Sequence, residues 1–473
     1  VLVATAHEKH PSIDLDRRDL TLDLARVFCV LLVVVIHLLF VGVGADADGG
    51  IAVNRPLEEQ PWFWIATWFG QIMPLFFVVG GFATATSLRS HRRRIPNRST
   101  ADRTFVHARL QRLPRPALPL FLFLAIALGA ATLAGVDPTL LHAVATGVGS
   151  PLWFLCAYLI CQLAAPALLT AHVRAPRATL LALLAGVIAI DIAQFTIPGI
   201  PIDPAGMSVL GYLNLLFVWP LVQQLGFWYA DGWFARRARW QLALIALACW
   251  TALVPLTVWG PYSLDMLTNL NPPTVPLVAL GLGQAALLQL LRRPLAALMR
   301  ARVMRGIVLV VGSRLMTIYL WHLPLIVALA GLALVVPALA FEPGGAAWWL
   351  TRPLAYFIVL ALLLVLSLGL GRFEKPLPVD RPARVGVLAL AGAATIAPTA
   401  AITIWGLNAP LAIAGAVGFA IAVLLLAGGQ NPKSPPKSPK SPEKSAAEAS
   451  ATSPAAASAV PASPAPVSDA ASP

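Results

Sequence analysis

Arg26 and His37 stand inside one apolar run, Leu20 to Val43, which is long enough to cross a bilayer. An ionisable side chain at membrane depth is costly and more often serves function than packing. Ten residues separate the two, so about 17 Å of helix lies between them, three turns that return to nearly the same face. Asp23, three residues before Arg26, shares that face and can pair with it. The face therefore offers a cation near one membrane surface and a titratable imidazole in the opposite half. Such an imidazole can change its protonation near neutral pH and so serve as a general base. The bland alternative is a snorkelling Arg26 and a His37 bonded to a neighbouring helix.

Three further groups bear on the same chemistry. His322 lies in Ile318-Tyr319-Leu320-Trp321-His322-Leu323-Pro324. If its helix starts near Gly306, His322 is about 24 Å along it, and His37 is about 25 Å along its own, so the two reach similar depth. Pro324 would free a backbone carbonyl nearby; an interfacial aromatic belt of Tyr319 and Trp321 is the competing reading. The stretch Arg89 to Arg115 is the most basic in the chain. Ser99 and Asp102 have capping-box spacing there, Pro114 would stop a helix, and Val106, Leu110 and Leu113 would form an apolar stripe on a short interfacial helix. Arg109 and Arg112 would then present two guanidiniums at a membrane entrance, suited to a phosphorylated ligand, whereas Arg92, Arg93 and Arg94 read as orienting charge. Trp153 and Phe154 open a later apolar run, as an interfacial aromatic or a sugar platform. Asp191, Gln223 and Gln224 are expected to satisfy one another or line a cavity. Gly80 and Gly81 permit close helix approach.

The elements that must position these residues follow from composition. The chain has 473 residues, 58% hydrophobic and 12% charged, with mean hydropathy +0.77. That is too little charge to cover a soluble surface, and it predicts an all-α polytopic membrane protein. The net charge of +13 sits in short loops rather than on a stacking surface, which argues against nucleic acid. Cys29, Cys156, Cys161 and Cys249 fall within apolar runs without zinc-ligand spacing; they read as buried hydrophobes, and no metal site is expected.

Twelve apolar runs have spanning length: about 20–43, 62–88, 117–136, 151–173, 178–197, 208–230, 240–259, 274–291, 307–337, 350–371, 385–405 and 408–428. The ninth is long and would kink at Pro324. Alternate loops are acidic and basic, with Arg55 and Arg352 the only Lys or Arg in the acidic set. By the positive-inside rule both termini are cytoplasmic in a multi-pass protein of the cytoplasmic membrane. Residues 1–19 form a polar N-terminal segment, followed by a retained anchor rather than a cleaved leader. A core of ten helices covers 20–382, two more helices 383–429, and a Lys/Ser/Pro/Ala-rich tail 430–473 that cannot bury enough apolar surface to fold.

At these residues the chain resembles the membrane-bound acyltransferase-3 proteins. Their first helix carries Arg, ten residues and His, matching Arg26 and His37 after Asp23. Phe76-Phe77 followed by Gly80-Gly81-Phe82 matches a Phe-Phe then Ser-Gly-Phe, with Gly80 removing the hydroxyl. Arg109 and Arg112 match an Arg-x-x-Arg, and Trp153-Phe154-Leu155 a Trp-Phe-Leu that lacks the following Glu of one large subgroup. Tyr319 to Pro324 match Tyr-Leu-Trp-His-x-Pro, and Glu374-Lys375-Pro376 a closing Glu-Lys-Pro. The resemblance covers residues 19 to about 380. It implies a ten-helix core that moves an acyl group, usually acetyl, from cytoplasmic acyl-CoA to a hydroxyl of an envelope carbohydrate or glycolipid, with no bound cofactor. On that reading His37 is the general base on the acceptor hydroxyl, or alternatively carries the acyl group covalently; Asp23 and Arg26 orient the helix or the donor, Arg109 and Arg112 hold donor phosphates, and Trp153, Tyr319 and His322 shape the acceptor end. A polar passage would link donor to acceptor. The rival is a proton-coupled secondary transporter, against which the sequence shows no paired halves.

Overall fold

The computed structural model describes residues 19–45, 51–375 and 377–427. The polar segment before Asp19, Pro376 and the tail from 430 lie outside these. Among the described residues the chain is almost entirely helical. Eleven helices are long and apolar enough to span a membrane, or twelve if a bent pair counts as one span. The chain is a multi-pass integral membrane protein.

The first span is α1 (Leu20–Phe40), capped by Asp19, whose carboxylate accepts from the Thr21 backbone N–H at 3.1 Å. A hairpin of β1 (Gly42–Ala45) and β2 (Ile51–Asn54) follows. The second apolar run breaks at Gln71-Ile72 into α2 (Phe63–Gly70) and α3 (Met73–Arg94). Next come α4 (Arg98–Arg112), α5 (Pro114–Leu133), α6 (Pro138–Gly149), α7 (Leu152–Arg174) and α8 (Pro176–Thr196). A 3-10 turn leads into α9 (Val218–Ala230), followed by α10 (Arg239–Val258), α11 (Val275–Leu290) and α12 (Arg292–Leu298). The last two form the bent pair. The chain closes with α13 (Arg302–Gly312), α14 (Leu315–Val335), α15 (Ala346–Leu370), α16 (Val385–Trp405) and α17 (Ala409–Ala427).

The ninth run is therefore not one helix kinked at Pro324. It breaks at Ser313-Arg314, and α14 continues through the proline. The new N-terminus has no local side-chain cap. Glu374, just past α15, supplies one: its carboxylate accepts from the Thr317 N–H at 2.6 Å and from the Thr317 hydroxyl. Burial raises the Glu374 pKa above the usual glutamate range, against the pull of those two bonds and of Arg314.

Helices pack here through shape rather than hydrophobic transfer, because lipid is as apolar as leucine. A close backbone approach joins α3 to α9. A Cβ on Gly81 would sit 2.2 Å from the Gln223 carbonyl oxygen, and one on Gly226 would sit 2.1 Å from that of Val78. Gly80 has no such contact closer than 3.8 Å, so Gly81 carries the role expected of the pair. The two C-terminal helices pack on α5 and α7: Phe121 stacks on Phe419 with ring centroids 4.6 Å apart, and a Cβ on Gly392 would meet Leu163 at 2.7 Å. A second apolar cluster gathers Val27, Val30, Val34 and Leu38 of α1 with Val308 and Val311 of α13, Ile318 and Ile326 of α14 and Val359 and Leu363 of α15. That cluster sets α1 against α14, the contact on which the site depends.

Candidate functional site

His37 and His322, 285 residues apart, meet where α1 crosses α14. His37 Nδ1 lies 3.0 Å from His322 Nε2, with ring centroids 4.9 Å apart. His322 is fully buried and His37 partly accessible. The partners assign the hydrogens. His322 Nδ1 lies 2.5 Å from the Tyr319 carbonyl oxygen, which can only accept, so this nitrogen bears the hydrogen. A neutral imidazole has one donor and one acceptor. His322 Nε2 therefore accepts, and His37 Nδ1 donates to it. Nε2 of His37 is left with its lone pair, the atom a general base uses. The neighbouring helix thus holds His37 in one tautomer.

Beyond His37 the end of α1 is roofed. Phe40 packs edge-on against Phe63 with centroids 5.7 Å apart, Arg55 sits 5.2 Å over the Phe40 ring, and the Leu57 N–H bonds the Leu39 carbonyl at 3.2 Å.

Toward the arginine-rich end a cavity of about 140 Å³ is lined by Arg26, Val30, Phe76, Arg109, Arg112, Leu113, Phe154, Tyr158, Leu315, Met316 and Tyr319. Three guanidiniums and no carboxylate line it. Arg26 Nε is buried without a hydrogen-bond partner among the described residues, an orphan donor in a cavity whose charge would suit an anion. Arg109 is partly buried and lies 5.0 Å over the Phe105 ring, whereas Arg112 is exposed. Asp23 is half-buried in the first turn of α1. Arg26, Val30 and His37 follow one stripe of α1, so cavity and base share a face.

The expected passage is not one continuous cavity. Neither histidine lines the arginine cavity. Its inner wall is aromatic: Phe154 lies 5.1 Å from Phe76 and 4.8 Å from Tyr319, centroid to centroid. Val30, the last residue of α1 on that wall, is seven residues before His37, about 10 Å along the helix. Two acceptor-side expectations change with this. Tyr319 lies on the arginine side, its hydroxyl bonded to the Pro151 carbonyl. Trp153 is buried and stacked 5.2 Å from Trp219, which stacks 4.4 Å from Phe77; it packs the core and has no exposed face for a sugar. His322 is buried and spends its free ring nitrogen on His37.

The basic stretch also differs from expectation. Asn97, not Ser99, caps α4, accepting from the Thr100 N–H at 2.9 Å. Asp102 instead takes Arg92 at 2.7 Å, and Arg92 also bonds the Pro166 carbonyl at 2.9 Å. Arg92 is thus a clamp between α3, α4 and α7 rather than simple orienting charge. Val106, Leu110 and Leu113 are buried as a stripe, but so are Phe105, His107 and Gln111 on other faces. α4 packs inside the protein because α16 and α17 cover it; His107 reaches the Leu426 carbonyl at 3.2 Å and takes the Ala383 N–H at 3.1 Å.

Polar residues at depth also found partners that spacing did not reveal. Asp191 accepts from Asn214 at 2.7 Å, Gln194 at 2.8 Å, Tyr262 at 2.9 Å and the Val275 N–H at 3.0 Å. Gln224 pairs with His172 at 2.8 Å, and His172 with Asp231 at 2.9 Å. Asp231 also holds Arg89 at 2.6 Å. Burial alone would raise the Asp231 pKa, but the bonds from His172 and Arg89 outweigh it and hold the carboxyl below the usual range. Tyr158 on the cavity wall was not anticipated; its one sequence signal is its place a turn after Phe154.

With the geometry in place, the comparisons point one way. The acyltransferase domain family matches residues 19–372, more than half of the chain. No curated protein and no solved structure gives a match. The matched region ends where α15 does, so α16 and α17 lie beyond it.

Proposed function

The chain belongs to the acyltransferase-3 family, and from that premise we propose that it moves an acyl group, acetyl in the first instance, from cytoplasmic acyl-CoA to a hydroxyl of an envelope carbohydrate or glycolipid. It is a transferase acting on groups other than aminoacyl groups, which displaces the transporter alternative. The observation that carries the proposal is the stacking along α1 of a three-arginine cavity and, two turns further, a base in a fixed tautomer.

In this reading the arginine end faces the cytoplasm. Arg26, Arg109 and Arg112 take the phosphates of the donor, whose charge they match. The pantetheine arm then points at Phe154 and Tyr319, and those rings turn aside for the thioester to reach His37. On the other side an acceptor hydroxyl meets His37 Nε2. The imidazole takes the hydroxyl proton as the oxygen attacks the thioester carbonyl. The C–O bond forms, the C–S bond breaks, and the thiolate leaves with the proton that His37 held. The His322 acceptor stabilises the imidazolium while it exists, because His37 Nδ1–H stays bonded to it. Nothing else is consumed, so the products are the ester and free CoA.

The test is transfer of labelled acetyl from acetyl-CoA in membrane vesicles holding the full chain, with mass spectrometry of envelope glycans to identify the acceptor. His37→Ala should lower transfer about 10²- to 10⁴-fold, the usual worth of a general base. A wild-type rate in that variant sinks the assignment.

A further inference from the structure

A second cavity, about 300 Å³, lies between α14, α15 and the start of the hairpin. Its lining is apolar apart from Thr351 and one charge, Arg352. Neither histidine lines it, but Leu38, the residue after His37, and Ile326, one turn past His322, both do. Tyr356 sets the register of α15 on α1 by donating to the Leu31 carbonyl at 3.4 Å. Arg352 is one turn further toward the His37 end, since α15 runs opposite to α1.

The guanidinium is held in place. Its Nε donates to the Trp348 carbonyl at 3.1 Å, Nη2 donates to Thr351 Oγ1 at 3.3 Å, and Cζ sits 4.4 Å over the Trp348 ring. No carboxylate pairs with it among the described residues. Those bonds use Nε and Nη2 and leave Nη1 for a ligand. An apolar groove beside one fixed cation that no carboxylate matches among the described residues suits an amphiphilic anion: hydrocarbon along the walls and a phosphate at the arginine. Hydrocarbon alone would need no guanidinium, and an arginine held only by snorkelling would not need a groove.

We propose that this groove seats the lipid anchor of the acceptor, a phosphate-linked glycolipid, with its phosphate on Arg352 and its first sugars beside His37. The inference rests on the acyl-transfer reading and names the acceptor class for it. It also assigns Arg352 a role that its place among the loop charges concealed.

The experiment uses the purified full chain in detergent, with native mass spectrometry counting bound lipid. The probes are a polyprenyl monophosphate, the same polyprenol without phosphate, and phosphatidylglycerol as an ordinary bilayer anion. Wild type and His37→Ala should both retain the polyprenyl phosphate at least 10-fold better than the polyprenol, and Arg352→Gln should erase that preference. Ala333→Trp, which fills the groove and keeps the arginine, should lose the adduct as well and covers the case in which Arg352→Gln does not fold. Equal retention of polyprenol and polyprenyl phosphate overturns the proposal. So does displacement by equimolar phosphatidylglycerol, or unchanged binding in Arg352→Gln or Ala333→Trp. Because binding is read in His37→Ala, a failure of the lipid site is separable from a failure of the acyl-transfer reading.

Discussion

Replacing His322 isolates what the tautomer lock contributes. His322 accepts from His37 Nδ1 at 3.0 Å and is itself fixed by the Tyr319 carbonyl at 2.5 Å. In His322→Ala the His37 N–H loses its buried acceptor. An unmade buried hydrogen bond costs about 1–3 kcal/mol. At about 1.4 kcal/mol per tenfold, turnover should fall roughly 5- to 160-fold, less than the loss on removing the base itself. His322→Gln should recover part of the rate, because its amide oxygen can accept from His37 while its N–H₂ keeps the Tyr319 carbonyl. Groups that act as a unit are not additive, so His37→Ala combined with His322→Ala should be no slower than His37→Ala alone. The assay is labelled acetyl transfer in vesicles at saturating donor, with KM for acetyl-CoA measured alongside. KM should stay within about twofold, since neither histidine lines the arginine cavity. A full wild-type rate in His322→Ala would refute the reasoning. So would a double variant that loses the product of the two single losses, because each histidine would then act on its own.

Arg109→Gln should raise KM for acyl-CoA about 13- to 160-fold with little change in kcat, from a charge-assisted bond worth about 1.5–3 kcal/mol; Arg112→Gln should do less, because Arg112 is exposed, and equal effects would remove that ranking. Gly81→Ala places a Cβ 2.2 Å from the Gln223 carbonyl oxygen, so α3 and α9 must separate at a cost of about 1–3 kcal/mol, read as a lower Tm in detergent. Gly80→Ala should leave Tm unchanged, its nearest neighbour being 3.8 Å away. Asp231 has its pKa held low in the folded state by His172 and Arg89, so its stabilisation is present above the ordinary aspartate range and fades as pH falls through the depressed folded value. Asp231→Asn should accordingly lower Tm at neutral pH, and its gap to wild type should shrink in strong acid; a gap that widens in acid contradicts the sign.

The spans were legible because twenty apolar residues in a row have few soluble uses, and the alternation of loop charge checks their count. Even so, breaks inside runs were not legible. Gln71-Ile72 and Ser313-Arg314 divide segments that hydropathy reads as continuous, and the second break depends on Glu374 arriving from 57 residues away to cap Thr317. That Arg26 and His37 share a stripe of α1 was legible from helical spacing alone. Trp153 was misread because an aromatic at the start of a helix looks the same in sequence whether it meets solvent or, as here, stacks on Trp219 and Phe77. Arg92 was misread for the converse reason: three consecutive arginines look alike until Asp102 and the Pro166 carbonyl select one of them.

By itself, then, the amino-acid order determined that the chain lives in a bilayer, which residues share a face of α1, and that an imidazole and a cation stand on that face, since hydropathy and helical period are local properties. Tertiary structure alone decided which nitrogen of His37 is free, that α1 and α4 pool their arginines in one cavity, that aromatic rings stand between that cavity and the base, and that Arg352 adjoins a groove. Each of these turns on how helices distant in sequence pack within a few ångströms, through shape at residues such as Gly81 and Gly226, and a one-dimensional pattern does not carry the distances on which hydrogen bonds depend.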